Sequence, residues 1–234
     1  MLEAGYVLLS ALMATIIFLA YHAVLKKVDI GQSIRKKRMI YSISALILWF
    51  VYVFVMSQSG FLANFELPPR FPLLLIMPLF VFTGTFLYRH RNSEILHAIP
   101  KSWAIYYQSF RIGIESLFVA SLPFGILPYH VTFEGYNYDI VFAMTAPFVA
   151  YLVFNRKKIP QKVALFWNYL GLIVIAWIIF LFTTTAYFPS VWGSETSLAN
   201  VKFTQFYYML VPAFLMPSAV FMHVLSIIQL SKKE

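Results

Sequence analysis

The chain contains no cysteine, which removes disulfides, thiolate metal sites and cysteine nucleophiles together. Charge is scarce as well. Only 12% of its residues are charged against 61% hydrophobic, and a mean hydropathy of +0.75 excludes an ordinary soluble fold. Familiar catalytic signatures are missing: there is no H-E-x-x-H, no G-x-S-x-G and no phosphate-binding glycine loop. Their absence argues against zinc proteases, α/β-hydrolases and cytosolic-type nucleotide enzymes. Heptads, low-complexity tracts and internal repeats do not occur either, so residues 1–234 read as one domain.

What the chain does have is long apolar runs separated by short basic clusters. Seven segments reach or approach the roughly 20 apolar residues that cross a bilayer core: Ala4 to Leu25, Met39 to Met56, Phe71 to Tyr88, Lys101 to Ile126, Ile140 to Phe154, Val163 to Phe182, and Phe206 to Leu230. The expected fold is therefore all-α, a polytopic bundle of seven transmembrane helices. Met1 to Tyr6 holds Glu3 and no basic residue, unlike the positive leader of a cleaved signal peptide, so the first span is expected to be retained.

Fifteen of the eighteen Lys and Arg residues lie in four clusters. These are Lys26 to Arg38, Arg89 to Lys101, Arg156 to Lys162, and the tail lysines Lys232 and Lys233. Basic loops stay cytoplasmic, so the alternation predicts the N-terminus outside and the C-terminus inside. The net charge of +9 is then a matter of orientation and contact with anionic lipid headgroups, and nucleic acid is not an expected partner. Trp49, Tyr52, Trp103, Tyr106, Tyr107, Trp192, Tyr207 and Tyr208 sit towards the predicted span ends and read as interfacial aromatics. Between the third and fourth spans, Ser93 offers a helix cap ahead of Ile95, Leu96 and Ile99, which suggests a short surface helix before Pro100 opens the fourth span.

Arg111 and Glu115 are the sharpest features. They lie about 15 and 21 Å into the fourth span at the helical rise, where an ionised side chain needs a partner, a bundle interior or a water-filled cavity. Their spacing permits pairing on one helix face, but the base precedes the acid, the less favourable order, so partners on other helices are expected. Tyr107 and Gln108 extend the same stripe. Gln108, Asn168 and His223 fall at similar depth on three spans, with Ser226 and Gln229 continuing the His223 side, and His22 lies nearer the cytoplasmic edge. Two readings of this set stay open: interhelical hydrogen bonds that hold the bundle together, or a ligand site or proton relay. His22 and His223 also formally permit axial ligation of a haem.

The loop from Pro128 to Asp139 is expected outside, where His130, Glu134, Asn137 and Asp139 stand among aromatics. It reads as a folded cap over the bundle mouth with Gly135 at a turn. Cation binding by its oxygens is a rival reading without defined ligand spacing, and no metal site is expected. Arg70 enters the third span from the same side and could pair with Glu134 or Asp139. Pro72, Pro78, Pro123, Pro147, Pro212 and Pro217 fall inside spans, where each frees a carbonyl that needs protein or a cavity.

Seven spans with an external N-terminus resemble the layout of microbial rhodopsins, but the seventh segment lacks the lysine that would hold retinal. SWEET-type sugar transporters are similar in span count and orientation only. Q-S-F-R-I-G-I-E at Gln108 to Glu115, together with T-F-E-G-Y-N-Y-D-I at Thr132 to Ile140, resembles a set of uncharacterised bacterial seven-helix membrane proteins over most of the chain. That resemblance implies the bacterial inner membrane and supplies no activity. The leading expectation is a carrier or sensor for a small molecule or proton centred on Arg111 and Glu115, with an anionic or amphipathic ligand suited to the arginine. An enzyme acting on a lipid or quinone-like substrate, with Glu115 or His223 as acid/base, and a structural subunit of a membrane complex are the alternatives. The oligomeric state is not legible.

Overall fold

A computed structural model describes residues 1–28 and 30–231; Lys232 and Lys233 lie outside the described residues. The chain is all-helical, with no strand among the described residues. Its principal helices are α1 (Leu2–Lys27), α2 (Gln32–Gln58), α3 (Pro72–His90), α4 (Glu94–Ala98), α5 (Trp103–Tyr107), α6 (Arg111–Ser121), α7 (Asp139–Asn155), α8 (Gln161–Tyr187) and α9 (Phe206–Ser231). Five of them, α1, α2, α3, α8 and α9, are long and apolar enough to cross a membrane. Large apolar side chains such as Leu8, Leu48, Phe148 and Phe166 point outward, the pattern of a membrane-embedded protein rather than of one that hides its hydrocarbon from water.

The remaining two apolar segments depart from long uninterrupted helices for local reasons. In the fourth, α5 tightens into a 3₁₀ turn at Gln108–Phe110 before α6 begins at Arg111. Pro123 then closes the run in a second 3₁₀ turn ending at Gly125, whose φ of 62° is left-handed. In the fifth, α7 carries Pro147 inside it and ends in a π-turn at Tyr151–Asn155.

One helix is the hub. In its most apolar stretch α9 is 56% buried, whereas α2 is 6% buried, and α9 packs against α1, α2, α3, α5 and α8. Helix α6 bridges α1 and α7 on the opposite flank. At one end of the bundle Gln229 Nε2, at the foot of α9, donates to the carbonyls of Leu96 (2.7 Å) and Ile99 (3.0 Å). Nearby, the Tyr106 hydroxyl donates to Asn155 Oδ1 at 3.1 Å. The short helix α4 forms here, capped by Ser93 Oγ accepting from the Leu96 amide at 3.4 Å.

Two of the prolines show where the freed carbonyls go. Pro217 cannot donate to the Ala213 carbonyl four residues earlier, and Trp49 Nε1 of α2 donates to that oxygen instead at 2.7 Å. Pro78 leaves the Leu74 carbonyl without an α-helical donor, and the Tyr52 hydroxyl of α2 donates to it at 3.4 Å. Both kinks also carry π-turns, Pro72–Ile76 in α3 and Val211–Leu215 in α9. The expectation that Trp49 and Tyr52 serve the membrane interface is thereby revised: their polar ends turn inward to kinked backbone.

Candidate functional site

Around the 3₁₀ turn at Gln108–Phe110, three polar side chains of the fourth segment meet α9. Tyr107 Oη meets Ser218 Oγ at 2.8 Å, Gln108 Nε2 donates to the Ala219 carbonyl at 3.0 Å, and Arg111 Nη1 donates to His223 Nε2 at 3.2 Å. Arg111 is 2% exposed and is the most heavily engaged side chain of the set. Its Nε donates to Asp139 Oδ2 at 2.8 Å and its Nη2 to Asp139 Oδ1, a two-pronged pairing that matches the carboxylate geometry. The guanidinium carbon also lies 5.3 Å from the centre of the Phe142 ring.

A guanidinium can only donate, so His223 Nε2 accepts and the proton of the neutral imidazole resides on Nδ1. That nitrogen lies 2.9 Å from Asn168 Oδ1. Asn168 Nδ2 passes the chain on to Ser226 Oγ (2.9 Å) and to the Ala164 carbonyl (2.7 Å). A continuous hydrogen-bonded line thus runs Asp139, Arg111, His223, Asn168, Ser226 across α7, α6, α9 and α8. Gly171 makes room for it: a Cβ there would lie 2.3 Å from His223 Cε1.

Glu115 stands one turn further along α6 and does not join that line. It is 1% exposed, and its Oε1 accepts from Asn137 Nδ2 at 3.0 Å. The same Asn137 nitrogen donates to the Val131 carbonyl at 3.1 Å, while Asn137 Oδ1 accepts from the Asp139 amide at 3.2 Å. Glu115 Oε2 has no hydrogen-bond partner among the described residues. Glu115 lines a cavity of about 60 Å³ shared with Arg111 and Asp139, whose walls are otherwise nearly all apolar, including Ile114, Phe118, Ile175, Phe182 and Pro212.

The loop that supplies Asn137 is folded rather than loose. Gly135 lies so close to the backbone that a Cβ would sit 2.5 Å from His130 Cα, and its amide donates to the Thr132 carbonyl at 2.9 Å. His130 Nε2 lies 2.7 Å from Thr185 Oγ1, and its ring stacks on Trp192 at 4.4 Å between centres. Burial holds this imidazole below the ordinary histidine value.

Several sequence-predicted residues take other places. Asn137 and Asp139, expected at the mouth, are buried at the centre, because each is claimed by a charged group of α6. Arg70 pairs with neither Glu134 nor Asp139: its Nη1 donates to the Phe61 carbonyl at 3.1 Å and its guanidinium covers the Phe61 ring at 4.3 Å. Glu134 is exposed. Gln108 leaves the expected layer with Asn168 and His223 and bonds the α9 backbone instead. His22 is half-buried on α1 and has no hydrogen bond to the cluster among the described residues. His223 has both ring nitrogens engaged, so the pair does not fit axial ligation of a haem. The α6 pair Arg111 and Glu115 is split between different partners, in keeping with the unfavourable order of the two charges.

Phe142 and Gly171 belong to the site and have no sequence signal of their own, since an aromatic and a glycine in an apolar run read as packing. Compared with protein-family models, curated proteins and solved structures, the chain matches none.

Proposed function

We propose that this protein is a seven-span membrane protein of the bacterial inner membrane, N-terminus outside and C-terminus in the cytoplasm. In this reading α5 with α6 forms the fourth span and α7 the fifth, and the protein is akin to the bacterial seven-helix proteins that its two motifs resemble. Its role is that of a carrier or sensor that takes up a proton or a small molecule inside the bundle. One observation carries this reading: the buried Glu115, whose Oε2 has no hydrogen-bond partner among the described residues, lines a largely apolar cavity. A buried carboxyl oxygen without a donor is costly in a purely structural role, and in a membrane bundle it marks a place where a proton or ligand arrives. Arg111, matched by Asp139, acts as a fixed charge pair, and the line through His223 and Asn168 holds it in position.

The ionisable groups around Glu115 are Arg111 on its own helix, Asp139 on α7 and Tyr6 on α1, whose hydroxyl lies 2.8 Å from Ser121 Oγ. Infrared difference spectra of the protein in nanodiscs, recorded across an acid-to-neutral pH step, test the proposal. The carbonyl band of a protonated carboxyl is expected to appear, to vanish in Glu115→Gln and to survive in Glu134→Gln, which alters an exposed carboxyl. Indistinguishable spectra for the wild type and Glu115→Gln would remove Glu115 from the role.

A second reading is favoured by Arg111 itself. With Asp139, His223 and Phe142 around it, the guanidinium is closed in on itself as a clasp between α6, α7 and α9. Arg111 then supports the site without receiving anything.

A further inference from the structure

Resting on that reading of Glu115, we propose that the cavity beside it binds a short aliphatic amine, the ammonium group donating to Glu115 Oε2 and the chain lying against Ile114, Phe118, Ile175 and Phe182. In the ionised form of Glu115 the unpartnered atom is an acceptor, so its partner must bring a donor. The charges around the cavity select the donor further. Arg111, Glu115 and Asp139 all line it, and the single guanidinium is already paired with Asp139 through two hydrogen bonds. An ammonium restores the balance against the second carboxylate. A carboxylate or phosphate would instead place further negative charge beside two acids, which a low-dielectric interior penalises heavily. The anionic ligand suggested by an isolated arginine is thus disfavoured by the acid that accompanies it.

The walls define the rest of the molecule. Beyond the three charged residues, Thr183 is the one polar side chain among the lining residues. The remainder is aliphatic and aromatic, which suits a hydrocarbon chain and offers few partners to the hydroxyls of a sugar.

The test is calorimetric titration of the full-length protein in nanodiscs with n-butylamine, n-butanol and butyrate, three probes of one shape and different head group. Saturable binding of butylamine at one site is expected, with butanol weaker and butyrate without saturable binding. Glu115→Gln is expected to weaken butylamine by about tenfold or more, corresponding to about 1.4 kcal/mol, and to bring it level with butanol. Ile175→Phe fills the cavity while leaving the carboxylate in place, and is expected to abolish butylamine binding; it serves equally if Glu115→Gln does not fold. Butyrate binding as tightly as butylamine, no saturable butylamine binding to the wild type, or unchanged butylamine binding in both variants would overturn the amine site. If the infrared carboxyl band of Glu115 is present and butylamine does not bind, the proton reading stands and the amine site falls. Butylamine binding that depends on Glu115 without that band gives the reverse.

Discussion

Two parts of this bundle face the same difficulty, a polar group held among hydrocarbon, and resolve it differently. Where α2 meets α3 and α9, the groups in need are backbone carbonyls released by Pro78 and Pro217, and single donors from Tyr52 and Trp49 reach them. Nothing further is asked of that region, and it is closed. Where α6 meets α7 and α9, the groups are full charges, and four side chains from three other helices are engaged to settle Arg111 alone. Yet Glu115 Oε2 is left over. Other buried oxygens, Ser57 Oγ, Gln108 Oε1 and Gln229 Oε1, also lack partners among the described residues, but Glu115 Oε2 is the one carboxyl oxygen of that set and the one whose residue lines the cavity.

The largest break of the comparison is Asp139→Asn. It strands the Arg111 cation in the bundle, a loss expected at about 3–5 kcal/mol, read as a collapse of folded yield and of the thermal midpoint in detergent. The double replacement Arg111→Met with Asp139→Leu is expected to recover much of that loss, and a double-mutant cycle gives the coupling. Strict additivity of the two single changes would show that the pair is not the clasp described.

Next comes Gly171→Ala, whose new methyl must displace the His223 imidazole. A cost of about 1–3 kcal/mol is expected from overpacking, together with loss of the Nδ1 proton signal of His223 from its bonded position in NMR spectra. An unchanged signal would mean that the ring does not lie against Gly171.

On the closed side, Trp49→Phe leaves the Ala213 carbonyl without its donor and is expected to destabilise by about 1–2 kcal/mol, with Tyr52→Phe, whose bond is longer, costing less. Urea or thermal unfolding of both variants orders them. Equal effects would make the two contacts packing rather than hydrogen bonding.

The smallest effect is a pH response at the loop. Because the folded protein holds His130 below its ordinary value, the unfolded chain binds more protons just below about pH 6.5. The stabilisation of the loop is therefore fully present above that value and is lost as pH falls through the lowered folded value. Fluorescence of Trp192, on which His130 stacks, is expected to change across this window in the wild type and to stay flat in His130→Gln.

The sequence made some of this legible and hid the rest for physical reasons. Arg111 and Glu115 stand out because a charge inside an apolar run has no other explanation, and the order of the two correctly pointed to partners elsewhere. The depth shared by Asn168 and His223 anticipated their contact. Asp139 and Asn137 were hidden because they sit where an apolar run begins, and a boundary acid reads as solvated until the helix is docked. Gln108 reaches the α9 backbone at Ala219 rather than the side chains of Asn168 and His223, a choice of partner that depth along a span does not decide. Trp49 and Tyr52 could not be assigned to Ala213 and Leu74 without knowing which helices touch. The length and charge pattern gave the helical, membrane-embedded character, while the short α7 and the broken α5–α6 path depended on proline and turn geometry.

The side-chain amide of Asn137 ties the buried Glu115 carboxyl to the loop. One nitrogen serves both the Glu115 carboxylate and the Val131 carbonyl, and the oxygen of the same group steadies the first residue of α7. The Glu115 carboxylate and the Val131 backbone are thus two hydrogen bonds apart. A change of charge on Glu115 alters the hold on the loop directly, with no helix having to move, so the loop acts as a gauge whose needle is a single side-chain amide.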